Sequence, residues 1–198
     1  MSAPDELAAA LMPFIRALDR VRVRHLVGGS VASAAHGEFR ATNDIDVLAE
    51  LRDEHVAPLT EALRGEYYAS EPAIRDAVRR RATFTVVPRA TMRNLDVCVS
   101  GGSPFDASSL GRAVARPLIP GRATPTMRLA TPEDVVLAKL RWYRAGGEVS
   151  ERQWRDVLGV LRIQADRLDI EYLRTWSDTL GVRDLAERAL AEAADARE

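Results

Sequence analysis

The sequence predicts an α/β (α+β) fold in which a small mixed β-sheet is followed by a helical C-terminal region. Three observations predict it: a helical pattern near the N-terminus, short β-branched segments that alternate with helical patterns up to about residue 99, and wholly helical periodicity beyond Thr131. With 198 residues, 46% of them hydrophobic, the chain is long enough to bury a substantial core.

The first part of the chain alternates between helix and strand signals. Apolar residues recur at intervals of three and four over 5–18, which predicts an amphipathic helix. The β-branched segment 21–27 runs into the tight turn Gly28-Gly29-Ser30, and a short helix over 31–35 precedes a strand over 44–49. Further predicted elements are helices at 56–63, 72–80 and 107–114, strands at 83–87 and 95–99, and a hairpin turn at 88–93.

The pattern changes in the proline-rich segment that follows Gly101 and ends near residue 128. Beyond it, Thr131 is a predicted N-cap that precedes Pro132 at the first helical position. Helices are predicted near 132–144, 150–164, 170–179 and 183–194. We therefore expect a core over 1–128 and a helical region over 129–198 that packs on that core.

Composition excludes several classes of protein. The 28 basic residues nearly cancel 29 acidic ones, so the formal charge of −1 gives no global attraction to nucleic acid or membrane. The chain has one cysteine, Cys98, and no apolar run of about 20 residues that would cross a bilayer. The start of the chain lacks a secretory signal pattern, so we expect a cytoplasmic protein without a membrane partner.

The most informative stretch is Gly28-Gly29-Ser30, followed after thirteen residues by Asp44-Ile45-Asp46-Val47. Carboxylates at i and i+2 of a strand point to the same face about 7 Å apart, where they can hold divalent cations. Their hard oxygens favour Mg²⁺ or Mn²⁺. A Gly-Gly-Ser turn at a helix N-terminus offers N–H groups and a hydroxyl to phosphate. Together they supply what phosphoryl or nucleotidyl transfer requires.

These motifs resemble the signature of the DNA polymerase β nucleotidyltransferase superfamily. Within it, the chain looks like the small bacterial proteins that include minimal nucleotidyltransferases and the transferase toxins of type IV toxin–antitoxin modules. The resemblance implies that Asp44 and Asp46 ligate metal, that Gly29 and Ser30 bind the triphosphate, and that Arg40 helps to hold phosphate.

The resemblance also implies a third carboxylate on a later strand and a second group of residues near the C-terminus. Asp96, in an alternating strand, is the candidate for the third metal ligand and for the group that deprotonates or positions the attacking hydroxyl. In the toxin-like branch a helical lysine and a following aspartate complete the site, and Lys139 and Asp156 resemble them, with Lys139 also binding nucleotide. Gly159 stands where that branch often has a second acid, so Asp156 is alternatively that second acid.

Structural interpretations compete with these functional ones. Asp96 is alternatively a strand acid paired with Arg93, Arg40 a salt-bridge partner of a nearby acid, and Lys139 an exposed helix lysine. Cys98 is expected to be a small core residue in an apolar strand. The histidines share no metal-ligand spacing and are expected to be satisfied in the fold or exposed; they are His25, His36 and His55.

The resemblance implies attack by an acceptor hydroxyl on the α-phosphate of a nucleoside triphosphate, with pyrophosphate as the product. The expected acceptor is a tRNA or other RNA end, within a toxin–antitoxin module that adds a cognate toxin or antitoxin as partner. The alternatives are transfer of AMP to a partner protein, a small-molecule acceptor such as an aminoglycoside, and a non-catalytic module that binds nucleotide or a partner.

Overall fold

The computed structural model describes residues 3–37, 44–91, 93–117 and 126–196. Within these ranges the chain forms one mixed sheet and a set of helices, which confirms the predicted α/β class. The strands are β1 (His25–Val27), β2 (Asp44–Ala49), β3 (Tyr67–Tyr68), β4 (Thr83–Pro88), β5 (Asn94–Val99), β6 (Val114–Pro117) and β7 (Thr126–Leu129). The α-helices are α1 (Ala3–Arg20), α2 (Gly29–His36), α3 (Asp53–Leu63), α4 (Glu71–Arg80), α5 (Pro104–Arg112), α6 (Pro132–Ala145), α7 (Glu151–Gln164), α8 (Ile170–Thr179) and α9 (Arg183–Asp195).

The sheet has the order β3-β4-β5-β2-β1-β7-β6. Strand β2 pairs in parallel with β5, and β1 pairs in parallel with β7, while the remaining neighbours are antiparallel. The two central acidic strands, β2 and β5, are therefore adjacent although α3, β3, α4 and β4 separate them in the sequence.

The structure differs from the predicted elements in the sheet and in α5. The segment that precedes residue 129 contains β6 and β7 in addition to a helix, and that helix begins earlier, at Pro104, than the predicted 107–114. β6 is an edge strand, where a proline such as Pro117 is tolerated because one side of the strand has no ladder to donate to. β3 was also not predicted. β1 is shorter than predicted because Arg22 has φ of 57°, which a strand does not accommodate.

The described chain divides into two compact units. The first consists of Met1–Val31 and Ala41–Leu129, and the second of Ala32–Arg40 and Ala130–Glu198. The seven strands of the described ranges belong to the first unit. No helix in the described ranges is sufficiently long and apolar to span a bilayer.

Alternation along the central strands gives the sheet of the first unit one buried side and one open side. In β2 the side chains of Ile45, Val47 and Ala49 are buried, and the intervening residues are exposed or half-buried. Strands β4 and β5 repeat this pattern. The buried side also carries Tyr67 of β3, whose ring lies edge-on to Phe14 of α1 with centroids 6.0 Å apart. Helix α1 therefore covers the buried side at the β3 edge.

The second unit is helical, as its sequence predicts. Side-chain oxygens of Thr131, Ser150 and Asp169 accept N–H groups in the first turns of α6, α7 and α8. The rings of Tyr143 and Trp154 stack between α6 and α7 with centroids 5.3 Å apart. These caps and aromatic contacts explain why the helix bounds in this unit were predictable to within one or two residues.

Tyr67 provides a test of how α1 is held to the sheet. Its hydroxyl donates to the Ala10 carbonyl at 2.7 Å, and burial raises the pKa of this phenol. Tyr67→Phe removes this hydrogen bond between β3 and α1, so we expect the free energy of unfolding to fall by about 1 kcal/mol. The measurement is urea denaturation, with Tyr68→Phe as the control because Tyr68 is 52% exposed. Equal stability of the two variants would contradict this account.

Candidate functional site

The turn between β1 and α2 is fixed against β2. The Gly28 N–H donates to the Asp46 carbonyl at 2.9 Å. Gly29 follows with φ of 52°, in the left-handed region that glycine adopts without strain. A Cβ atom at Gly29 would overlap the Asp46 carboxylate and lie 2.8 Å from the Asp46 Cβ. Only glycine therefore allows the turn and the carboxylate to lie in contact.

Ser30 lies in the first turn of α2, directly after this contact, and is half-buried. The first N–H groups of a helix have no intrahelical partner and carry a partial positive charge, which favours anions at this end. The turn thus places main-chain donors and a hydroxyl beside a strand that carries acids.

Three carboxylates lie on the open side of the sheet. Asp44 and Asp46 are exposed, and Ile45 between them is fully buried. Asp96 of β5 is the register partner of Asp46 in the parallel pair, so the two side chains project from the same side of adjacent strands. Adjacent strands are about 4.8 Å apart, which places Asp96 directly beside Asp46.

Thr85 positions the third carboxylate. It is the register partner of Asp96 on β4, and its Oγ1 donates to Asp96 Oδ1 at 2.6 Å. The alternative that Asp96 pairs with Arg93 is therefore wrong. The partner of Asp96 is Thr85, and Arg93 forms an ion pair with Glu6 at 3.2 Å. Sequence reasoning missed Thr85. Alternation in Thr83–Pro88 indicates its side of the strand, but the pairing register that brings it to Asp96 is not readable from sequence.

The described residues contain no group of three or more His, Cys, Asp or Glu side chains arranged to hold a metal ion. The three aspartates share one side of the sheet without forming a closed cluster of ligands. A cation at this edge would need ligands in addition to these carboxylates. Mg²⁺ commonly binds in this way, through one or two carboxylates together with substrate phosphates and water.

The second unit brings Lys139 and Asp156 together. Lys139 Nζ donates to Asp156 Oδ2 at 2.8 Å, and the two side chains are 10% and 13% exposed. The alternative that Lys139 is an exposed helix lysine is therefore wrong. Asp134 has a separate set of contacts, since it accepts hydrogen bonds from Thr131 Oγ1 at 2.9 Å and from the Tyr172 hydroxyl at 2.7 Å.

The structure also tests the expectations for the cysteine and the histidines. Arg40 lies outside the described residues. Cys98 is exposed, so its expected place in the core is wrong; it lies two residues after Asp96 and therefore on the same open side. Each histidine hydrogen-bonds to a main-chain group: His25 to the Val23 carbonyl, His36 to the Ala130 carbonyl and His55 to the Arg52 N–H.

Two solved structures resemble this chain over nearly its whole length. The antibiotic-resistance factor ANT(2'')-Ia, whose solution structure reveals substrate-regulated conformation dynamics, is 13% identical, with a TM-score of 0.54 and 100% of both chains covered. An antigenic nucleotidyltransferase-like protein from Paracoccidioides brasiliensis is 15% identical, with a TM-score of 0.53 and coverage of 94% of this chain and 93% of that chain. No family model and no curated protein matches the sequence.

These likenesses define the fold class. The chain has a nucleotidyltransferase-like fold, and the resemblance to nucleotidyltransferases that the Gly-Gly-Ser and Asp-Ile-Asp motifs carry is confirmed at the level of the fold.

The contact between Gly29 and Asp46 can be tested by comparing two neighbouring glycines. Gly29→Ala places a methyl group against the carboxylate and strains the backbone, so we expect the free energy of unfolding to fall by about 1–3 kcal/mol. Gly28→Ala is the control, because a Cβ there would meet nothing nearer than Leu26 Cδ1 at 3.7 Å. Both variants are checked for folding by circular dichroism and thermal melting. Equal stability of the two variants would contradict this account of the contact.

Proposed function

We propose that the protein is a metal-dependent nucleotidyltransferase that transfers NMP from a nucleoside triphosphate to an acceptor hydroxyl and releases pyrophosphate. The observation that carries this proposal is the direct contact of the Gly29 turn with Asp46, on the open side that also bears Asp44 and Asp96. A phosphate-binding turn and acids in contact are the arrangement that this reaction requires.

The donor set fits Mg²⁺ or Mn²⁺. Asp44 and Asp46 offer hard carboxylate oxygens from one exposed side of a strand whose other side is anchored in the core. Because Gly29 has no Cβ, the main chain of the turn lies against the Asp46 carboxylate, so the N–H groups offered to phosphate and the oxygens offered to a cation are neighbours. We propose Asp44 and Asp46 as the principal ligands and Asp96 as the third. When bound, the cation neutralises charge on the triphosphate and on the leaving pyrophosphate.

The turn and the first residues of α2 bind the triphosphate in this proposal. Main-chain N–H groups after Gly29 and the hydroxyl of Ser30 donate hydrogen bonds to phosphate oxygens, and the helix N-terminus adds a favourable field. Arg40 adds a cation to phosphate binding. These groups hold the α-phosphate for in-line attack.

Asp96 acts on the acceptor. Thr85 holds its Oδ1, and among the described residues no donor reaches Oδ2. In the proposed step Asp96 takes the acceptor hydroxyl proton as the acceptor oxygen bonds to the α-phosphorus. The bond from that phosphorus to the pyrophosphate oxygen breaks, and its electron pair leaves with pyrophosphate.

The first experiment tests transfer directly. Purified protein is incubated with each α-labelled nucleoside triphosphate, Mg²⁺ or Mn²⁺, and total RNA, cell-lysate protein or a panel of hydroxylated small molecules. We expect transfer of label, and a fall of about 100-fold or more in Asp44→Asn and Asp46→Asn because charge neutralisation at the phosphates is lost. Glu61→Gln is the control, since Glu61 is an exposed acid paired with Arg64 on the surface.

Binding is measured beside transfer. The wild-type protein should gain thermal stability from Mn²⁺ and nucleoside triphosphate together, and the two aspartate variants should lose that gain while staying folded. Label on RNA would favour the toxin-like branch, and label on a protein band would favour AMP transfer to a partner. Absence of both binding and transfer would refute the proposal and leave a non-catalytic module.

Lys139 and Asp156 are proposed as further catalytic residues, with Lys139 also in nucleotide binding; the support is their resemblance to the toxin-like branch. Lys139→Met removes the ammonium that pairs with the largely buried Asp156, so we expect a loss of about 2–4 kcal/mol in unfolding free energy. In the double variant Lys139→Met/Asp156→Leu part of that stability should return, because the carboxylate is removed together with the ammonium and apolar side chains replace the buried ion pair. Under this proposal transfer activity stays low in both variants. Recovery of activity together with stability would assign the pair a purely structural role.

A further inference from the structure

The open side of the sheet continues past Asp96 to the outer strand β3. Tyr68 of β3 is the register partner of Val87, and Val87 lies two residues from Thr85 on β4. Because Thr85 pairs with Asp96, register and alternation place Tyr68 on the same side of the sheet as Asp96. Tyr68 and Asp96 are separated by two strands across the sheet and by two residues along the strands. This corresponds to about 12 Å between their Cα atoms.

Tyr68 is an aromatic side chain exposed on this open side, and an arginine lies on it. The ring is 52% exposed, and the Arg89 guanidinium carbon lies 3.9 Å from its centroid. The Arg89 N–H donates to the Glu66 carbonyl at 2.9 Å, which anchors the residue that follows β4 beside the start of β3. The result is a layered pair, the Tyr68–Arg89 stack, held at the edge of the sheet.

The charge of this stack is not neutralised by a described carboxylate. Arg79 and Arg80 of the same unit share Asp76 at 3.3 Å. In contrast, no acidic group in the described ranges lies within ion-pair distance of Arg89, which is exposed. An exposed guanidinium stacked on a ring attracts a ligand that is both planar and anionic.

A nucleobase next to a phosphate has this chemistry. Bases stack on aromatic rings and on guanidinium planes, and arginine also donates to phosphate oxygens. We infer that the Tyr68–Arg89 stack binds a nucleotide near the end of a single-stranded polynucleotide whose terminal hydroxyl is the acceptor at Asp96. This inference rests on the proposed function, in which Asp96 receives the acceptor proton, and it names the class of acceptor.

The distance between Asp96 and the Tyr68–Arg89 stack predicts how long the bound polynucleotide must be. At a stacked rise of about 3.4 Å per nucleotide, about 12 Å corresponds to three or four nucleotides from the terminal hydroxyl. A dinucleotide is therefore expected to engage Asp96 and the stack together less well than an octanucleotide, which exceeds this span. The site therefore predicts binding that increases with strand length up to about four nucleotides and changes little beyond.

The experiment measures binding without nucleoside triphosphate. Fluorescence anisotropy is followed with labelled single-stranded RNA of two, four and eight nucleotides. We expect Tyr68→Ala and Arg89→Ala to weaken binding of the octanucleotide by about tenfold, and Tyr68→Phe to bind like the wild type because the ring remains. Arg89→Ala should also reduce the slope of log affinity against log salt by about one.

Arg64→Ala is the matched control, because it removes an equally exposed arginine that is paired with Glu61. Failure of the octanucleotide to bind, or equal affinity in Arg64→Ala, Arg89→Ala and Tyr68→Ala, would overturn the inference. Label that reaches only protein would do the same and leave the proposed function standing. Conversely, oligonucleotide binding that depends on the stack, with neither nucleoside triphosphate binding nor transfer, would support the stack as a nucleic-acid site and refute the proposed transferase.

Discussion

The contact between the Gly29 main chain and the Asp46 carboxylate is the constraint on which the rest of the candidate site depends. The turn is tied to β2 by the hydrogen bond from Gly28 to Asp46, and the missing side chain of Gly29 leaves room for the carboxylate. The positive end of α2 therefore begins directly beside an acid. Main-chain donors and carboxylate oxygens are thus available within one small region of the first unit.

The register of β2 and β5 extends this region, and packing on the other side of the sheet determines that register. A shift of one residue in β5 would turn Asp96 toward the core and expose Leu95 and Val97, both fully buried now. The free energy of burying apolar side chains therefore holds Asp96 beside Asp46. Thr85 is held in the same way by the alternation of β4.

Alternation and turn chemistry made much of this arrangement predictable. Asp44 and Asp46 flank a buried Ile45, and a glycine pair after an apolar strand indicates a tight turn, so both features were readable before any pairing was known. Cys98 shows where prediction from neighbouring residues fails. Its apolar neighbours suggested a core position, but alternation from Asp96 places it on the open side.

Features that depend on which strands become neighbours were not predictable. The bond from Thr85 to Asp96 joins residues eleven positions apart through an antiparallel register, and the Tyr68–Arg89 stack requires a two-residue strand too short to give a periodic signal. β6 and β7 were hidden because prolines and glycines around them indicate a surface segment, while edge strands tolerate proline.

The sheet of the first unit divides its residues between two tasks, and this division determines how substitutions act. Side chains on the buried side, such as Ile45 and Val97, contribute chiefly to stability, because their removal leaves cavities. Side chains on the open side, such as Asp44, contribute little to packing, and their like charges repel one another, so a fold selected for stability alone has no need to place them together. Gly29 serves both tasks. It forms the turn, and it also determines how closely the main chain approaches Asp46.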